Sequence, residues 1–74
     1  MVIIRSERFK NEDIYIDYPY EDIMFRWDHI DKLIYKKFYC QKEYPEPVPH
    51  DSELYNEARR FGKEITREQY IKGK

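Results

Sequence analysis

The stretch from Tyr20 to Cys40 places the strongest constraint on how this chain can fold. Its apolar residues recur at the spacing of one helix face over about five turns, at Tyr20, Ile23, Met24, Trp27, Ile30, Ile34 and Phe38. Such a helix would be about 30 Å long, roughly the diameter of a small domain. In a chain of 74 residues, an element of that length has to provide the ridge on which the core forms. The periodicity therefore predicts a long amphipathic helix over about residues 20–40.

Two runs of β-forming residues precede this stretch. Residues 2–9 form the first run, and a polar segment at 10–13 separates it from the second. The second run, residues 14–18, alternates between two faces, with Ile14, Ile16 and Tyr18 on one and Tyr15 and Asp17 on the other. We expect residues 2–18 to form a β-hairpin that the helix covers, because a two-stranded hairpin is only marginally stable alone.

Alternating prolines mark the segment after the predicted helix. Residues 44–50 contain Pro45, Pro47 and Pro49, a spacing that favours an extended strap without ladder hydrogen bonds. A capping residue at Asp51 or Ser52 then precedes a second amphipathic run. The segment therefore predicts a stiff linker that returns the chain to the core.

Capping signals predict a pair of short helices over about residues 52–71. Gly62 would end the first helix in a left-handed conformation, and the Thr66-Arg67-Glu68-Gln69 capping box would begin the second. The expected fold is α+β in a single domain of residues 1–74. It consists of an N-terminal β-hairpin packed on a long amphipathic helix, followed by a proline-rich strap and a shorter helical hairpin.

The charge balance and the cysteine count exclude several classes of protein. Fourteen basic and 15 acidic residues give a net charge of −1, which favours neither a strongly basic nucleic-acid binder nor an acidic DNA mimic. Cys40 is the sole cysteine, so no intrachain disulfide can form, and a lone thiol is typical of reducing compartments. No run resembles a signal peptide or reaches the length of a membrane span. We expect a soluble cytoplasmic protein.

Metal binding or catalysis would require His29, Cys40 and His50 to converge. On the predicted helix, His29 and Cys40 would lie roughly 16 Å apart along the axis, and their spacing matches no zinc pattern. A Cys40–His50 nucleophilic pair remains an alternative, although a lone cysteine more often serves as a small buried apolar residue. With only Gly62 and Gly73, the chain has no glycine-rich phosphate loop. The sequence predicts no enzyme, no metal and no cofactor.

Aromatic residues provide the main indication of function. Eight Tyr, four Phe and one Trp are more than a thin core can hide, and exposed Tyr is typical of recognition surfaces. We predict a surface that binds a protein partner or a second copy of the chain, with aromatic anchors and lysines that set the orientation. Its residues are Phe25, Tyr35, Tyr39, Lys32, Lys36 and Lys37. The protein is therefore expected to be a small, non-catalytic, regulatory binding protein.

A nucleic-acid-binding accessory protein is the alternative interpretation. Basic residues interleave with tyrosines in a pattern that suits single strands, and the candidate contacts are Lys36, Lys37, Arg59, Arg60 and Arg67. Acidic residues of nearly equal number lie nearby, and no known reader motif is present. The same charges would also complement the dipoles of the predicted helices. Whether the basic residues share one face depends on how the helices pack.

Overall fold

An antiparallel sheet forms the centre of the molecule. The computed structural model describes residues 6–73. Its elements, in chain order, are α1 (Ser6–Asn11), β1 (Ile14–Tyr18), a 3-10 turn (Pro19–Glu21), β2 (Ile23–Asp28), β3 (Leu33–Phe38), α2 (Glu53–Phe61), β4 (Lys63–Ile65) and α3 (Arg67–Lys72). The strands lie in the order β3-β2-β1-β4, and all neighbours are antiparallel. Within the described range, no helix combines the length and apolarity needed to cross a bilayer.

The long helix predicted over residues 20–40 is wrong, and the predicted fold is wrong with it. That stretch forms β2 and β3, which a turn at residues 29–32 joins. The carboxylate of Asp28 makes the turn, because it accepts hydrogen bonds from the N–H groups of Ile30 and Asp31 at 3.0 and 3.1 Å. Lys32 completes the turn with a left-handed φ of 57°. An Asp side chain can thus reverse the chain without a glycine or proline signal.

Burial on both faces of the sheet explains the misleading helical spacing. Ile23 and Phe25 point to one face of β2, whereas Met24 points to the other. All three are at most 1% exposed, so the polar–apolar alternation that marks a half-buried strand is lost. The β-branched and aromatic residues that dominate the stretch are the signal that favours strands.

The N-terminal hairpin is also wrong, although its second strand exists. β1 occupies residues 14–18 as predicted, and it pairs with β2 on one side and β4 on the other. Residues 6–9 belong to helix α1 rather than to a strand. The remainder of the predicted first strand, residues 2–5, lies outside the described residues.

The C-terminal helices form where predicted, but they do not make a helical hairpin. α2 begins after the N-cap Ser52, and α3 begins after Thr66, whose capping box with Gln69 is formed. β4 separates the two helices, which pack on opposite faces of the sheet. Gly62 is not left-handed, since its φ is −80°. Glycine is needed there because a Cβ would lie 2.5 Å from the carbonyl oxygen of Asp17.

The main core lies between the sheet and α2. Its buried residues are Ile14, Ile16, Tyr18, Ile23, Phe25, Ile34, Val48, Tyr55 and Ala58. Val48 belongs to the proline strap, and its N–H donates to the carbonyl oxygen of Ile34 at 2.6 Å. Tyr44 donates in the same way to Lys36 at 2.9 Å. The strap therefore lies along the outer edge of β3.

Candidate protein-binding groove

The face of the sheet opposite α2 is only partly covered. α3 has six residues and packs over β1, where Tyr70 clusters with Tyr15 and Met24. A groove of about 400 Å³ opens beside α3. We call it the sheet-face groove, and its lining residues are Asp13, Tyr15, Arg26, Lys37, Glu43, Arg67, Tyr70 and Ile71.

Arg26 forms the fixed centre of the groove floor. Its guanidinium donates to both carboxylate oxygens of Glu43, at 2.9 and 3.1 Å, and lies 3.4 Å from Asp28 and 3.6 Å from Asp13. Tyr35, directly opposite in the sheet, places its ring centroid 4.6 Å from the guanidinium carbon. The Glu43 hydrogen bond is the main reason that the pKa of Arg26 is raised. The two-pronged bond holds the planar group in one orientation.

Glu43 connects this floor to α3. Its carboxylate accepts a hydrogen bond from the Tyr70 hydroxyl at 2.7 Å. Burial alone would raise the pKa of Glu43, but the hydrogen bonds from Arg26 and Tyr70 prevail and lower it. Burial, followed by the Glu43 hydrogen bond, raises the pKa of Tyr70. The carboxylate thus stays charged and the phenol stays neutral across the neutral pH range.

Lys37 anchors the end of α3. Its side chain is buried, and its ammonium donates to the carbonyl oxygens of Tyr70 and Ile71 at 2.7 and 2.8 Å. A cation at this position complements the negative end of the helix dipole. The predicted binding surface used Lys37 to orient a partner, whereas in the structure its ammonium is engaged with α3.

Two of the predicted aromatic anchors contribute to the packing of the protein. Phe25 packs against Tyr55 in the main core, with ring centroids 5.4 Å apart, so its side chain is not available to a partner. Tyr39 is half-buried, and its hydroxyl donates to the buried carboxylate of Asp17. Burial, and then this hydrogen bond, raises the pKa of Tyr39. Both residues contribute to the fold.

The remaining members of the predicted surface are divided between the two faces of the sheet. Tyr35 lies beside the groove under Arg26. Lys36 points to the α2 face, where its ammonium lies 4.8 Å from the Tyr44 ring centroid. Lys32 is exposed in the turn between β2 and β3. Of the predicted set, the structure places only Tyr35 and Lys37 at the groove.

The basic residues of the nucleic-acid alternative do not share one surface. Arg59 lies over the ring of Phe9 on the α2 side, at 5.0 Å from its centroid, and Arg60 is exposed on the same helix. Arg67 belongs to α3 on the opposite face of the sheet, and Lys37 is buried. Because one strand of phosphates cannot reach both faces at once, the structure does not support this alternative.

The Cys40–His50 pair is also not brought together. His50 lies at the start of β3, where its Nε2 is 2.9 Å from the carbonyl oxygen of Lys32. Cys40 follows the other end of that strand, which spans about 20 Å. Within residues 6–73, no group of three or more His, Cys, Asp or Glu residues is placed to hold a metal ion.

Sequence reasoning missed Arg26, Glu43 and Ile71. Arg26 interrupts the apolar run of β2, and a charged residue in such a run signals a paired charge on a second, partly buried face. Glu43 carried no comparable signal, because its partners lie 17 and 27 positions away. Ile71 is 61% exposed at the rim of the groove, and its exposure follows only from how α3 lies on the sheet.

Four of the eight residues that line the groove are Tyr or Arg. Tyr and Arg are enriched among the residues that dominate binding energy, and here Arg26 and Tyr70 are held by hydrogen bonds beside an exposed isoleucine. Fold and groove together fit a small protein-binding module.

Comparison with known proteins identifies the family. Residues 1–74 match the model of the Tis1 immunity protein family, and the chain belongs to that family. It is 53% identical over 73 residues to the immune protein Tis1 of Pseudomonas aeruginosa (strain UCBPP-PA14), covering 99% of this chain and 95% of the relative. It also matches a chain in the crystal structure of the complex between the type VI effector Tas1 and its immunity protein. That match has a TM-score of 0.91 and 53% identity, and covers 97% of this chain and 95% of that chain.

Proposed function

We propose that this protein is an immunity protein that binds a type VI effector related to Tas1 and neutralises it without catalysing a reaction. The observation that carries the proposal is the match along nearly the whole chain, at 53% identity and a TM-score of 0.91, to a chain in a solved effector–immunity complex. The predicted role as a non-catalytic protein-binding module agrees with membership of an immunity family.

The polar groups in the groove are fixed in a way that favours binding. Arg26, Glu43 and Tyr70 are committed to one another, and the ammonium of Lys37 is committed to α3. Groups held in this way do not have to give up conformational freedom when a partner arrives, which lowers the cost of association. We infer that neutralisation is stoichiometric, with one copy of this chain for each effector molecule, because the effector is occupied and not chemically altered.

Co-expression tests this function directly. The cognate Tas1-related effector is induced in a bacterial host with and without this protein, and growth is followed. We expect growth only when the protein is present, together with a 1:1 complex that co-elutes in size-exclusion chromatography and survives nuclease treatment. Continued toxicity in the presence of the folded, expressed protein would refute the proposal.

Self-association and a cytoplasmic location remain separate predictions. Light scattering on the free protein measures the first, and a dimer without effector would support it. Cell fractionation measures the second, for which the lone Cys40 is the supporting feature.

A further inference from the structure

We infer that the sheet-face groove is the surface that docks the effector. The occupying segment of the effector places an apolar side chain against Ile71 and a carboxylate that pairs with Arg67. This inference rests on the proposed function and adds to it the surface and the chemistry of the segment that fills it.

The floor of the groove is held in one arrangement by contacts within the protein. Arg26 is held by Glu43 and supported by the Tyr35 ring, and Tyr70 is held by the same carboxylate. Tyr15 packs against Tyr70 with ring centroids 5.2 Å apart. Tyr15 and Tyr70 are only 9% and 4% exposed, so the floor gives the groove a fixed shape and contributes little contact area of its own. Side chains that are already fixed lose little conformational entropy when a partner binds.

The rim of the groove supplies the apolar contact. Ile71 projects from α3 and remains largely exposed, although it lines the groove beside Tyr15 and Tyr70. An apolar side chain from the effector would remove this surface from water, which is the general driving force of association. The concave floor distinguishes this isoleucine from an isolated exposed residue.

The charges of the groove leave Arg67 available to the partner. Arg26 is matched by Glu43, Asp13 and Asp28, and the ammonium of Lys37 is matched by helix carbonyls. The side chain of Arg67 makes no hydrogen bond or ion pair with any other residue in the described part of the chain. Its side chain is exposed and lines the groove. Because guanidinium groups bind carboxylates in a two-pronged geometry, the complementary group on the effector is an Asp or Glu.

Other exposed apolar residues lack this setting and provide controls. Tyr20 is 77% exposed in the 3-10 turn and packs only its edge on Tyr18, at 5.6 Å between centroids. Tyr18 belongs to the α2 face of the sheet. Arg60 is exposed on α2, so its reversal makes the same charge change as a reversal of Arg67 on the other side of the molecule.

Binding of the purified cognate effector to four variants tests the inference. Arg67→Glu and Ile71→Asp alter the groove, whereas Arg60→Glu and Tyr20→Asp are the matched controls. We expect each groove variant to raise Kd by about tenfold or more, which corresponds to a loss of about 1.4 kcal/mol or more in binding free energy. Each control should stay within about threefold of wild type, as is usual for residues outside a hot spot. Circular dichroism and thermal unfolding establish that all four variants fold, and Arg67→Gln and Ile71→Ser replace any that does not.

The outcomes distinguish an error in the proposed docking surface from an error in the proposed function. An unchanged Kd in either groove variant overturns the inference, and so does equal weakening in the groove variants and the controls. If the wild-type protein itself does not bind the effector, the proposed function fails, and the inference fails with it. Recovery of Arg67→Glu binding by an effector variant that replaces a carboxylate with Lys or Arg would identify the pairing residue.

Discussion

Replacement of Lys37 by Met is expected to loosen α3 from the sheet. The sequence places Lys37 within a basic run, but in the structure it is 8% exposed and its ammonium donates to two carbonyl oxygens of α3. Met has a similar length and no charge, and it adapts well to buried sites. The substitution therefore removes the ammonium and leaves most of the apolar packing in place.

The size of the effect follows from these contacts. Hydrogen bonds that involve a charged group contribute about 1.5–3 kcal/mol each, and the bonds to Tyr70 and Ile71 measure 2.7 and 2.8 Å. Removal of the ammonium also relieves the cost of keeping a charge buried, which offsets part of the loss. We expect the free energy of unfolding to fall by about 2–3 kcal/mol. Because a helix of six residues is not stable alone, α3 should detach first.

Urea titration and hydrogen exchange measure the two parts of this prediction. The urea midpoint should decrease, and the amides of Tyr70 and Gly73, which bond to Thr66 and Gln69 at 3.0 and 3.2 Å, should exchange faster. Amides of β2, in the centre of the sheet, should be affected less. This difference would show that the anchoring of α3, rather than the sheet, has been weakened.

Lys42→Met is the control, because Lys42 is exposed and its side chain makes no hydrogen bond or ion pair within the described residues. Its free energy of unfolding should stay within about 0.5 kcal/mol of wild type. If Lys37→Met unfolds at the same urea concentration as this control, the structural role assigned to Lys37 is refuted.

Three further predictions concern the core, a backbone contact and the decrease in the free energy of unfolding at acidic pH. Phe25 is fully buried, so Phe25→Ala should lower the free energy of unfolding by about 3–5 kcal/mol in urea titration. An effect smaller than that of an exposed Phe→Ala change would contradict its place in the core. Gly62→Ala should lower Tm, because the added Cβ would lie 2.5 Å from the Asp17 carbonyl oxygen and 2.6 Å from that of Ala58, and overpacking costs about 1–3 kcal/mol. The pKa of Glu43 is lowered from 4.5 in the folded protein, so its contribution is present above that value and is lost as the pH falls through the folded value. Glu43→Gln should therefore reduce the loss of stability between about pH 5 and pH 3 in urea titrations, and an unchanged pH dependence would contradict this role.

Local signals in the sequence predicted the features that depend on neighbouring residues. The cap at Ser52 and the capping box from Thr66 to Gln69 each involve atoms within three positions of one another. The alternation along residues 14–18 is similarly local, and it correctly assigned the two faces of β1. These features could be predicted because no distant part of the chain can change them easily.

Features that depend on tertiary packing could not be obtained in the same way. Tyr70 of α3 covers the second face of the sheet and buries Met24. Because both faces of β2 are covered, its sequence lacks the polar–apolar alternation of a half-buried strand. The turn after Asp28 uses the Asp side chain itself rather than a glycine. The helical spacing over residues 20–40 was therefore misleading, and the β-branched and aromatic residues of the stretch were the signal against it.

The residues of the candidate site differ in the same way, because some carry a local signal in the sequence and others depend on tertiary packing. Tyr35 was predicted to contact a partner, and it lies beside the groove under Arg26. The burial of Lys37 depends on carbonyl groups 33 and 34 positions further along the chain, which no local pattern records. A groove formed by strands, a loop and a terminal helix becomes visible only when the sheet order is known.

The proline strap also determines how the sheet ends. Carbonyl groups of β3 that would face open solvent accept hydrogen bonds from Tyr44 and Val48, and the three prolines between and beside these residues have no N–H to offer a further strand. The opposite edge is β4, only three residues long and carrying Lys63 and Glu64. Short, charged or proline-covered edges are how natural sheets resist fibrous aggregation. This chain can therefore accumulate in its unbound form without the edge strands of one copy pairing with those of another.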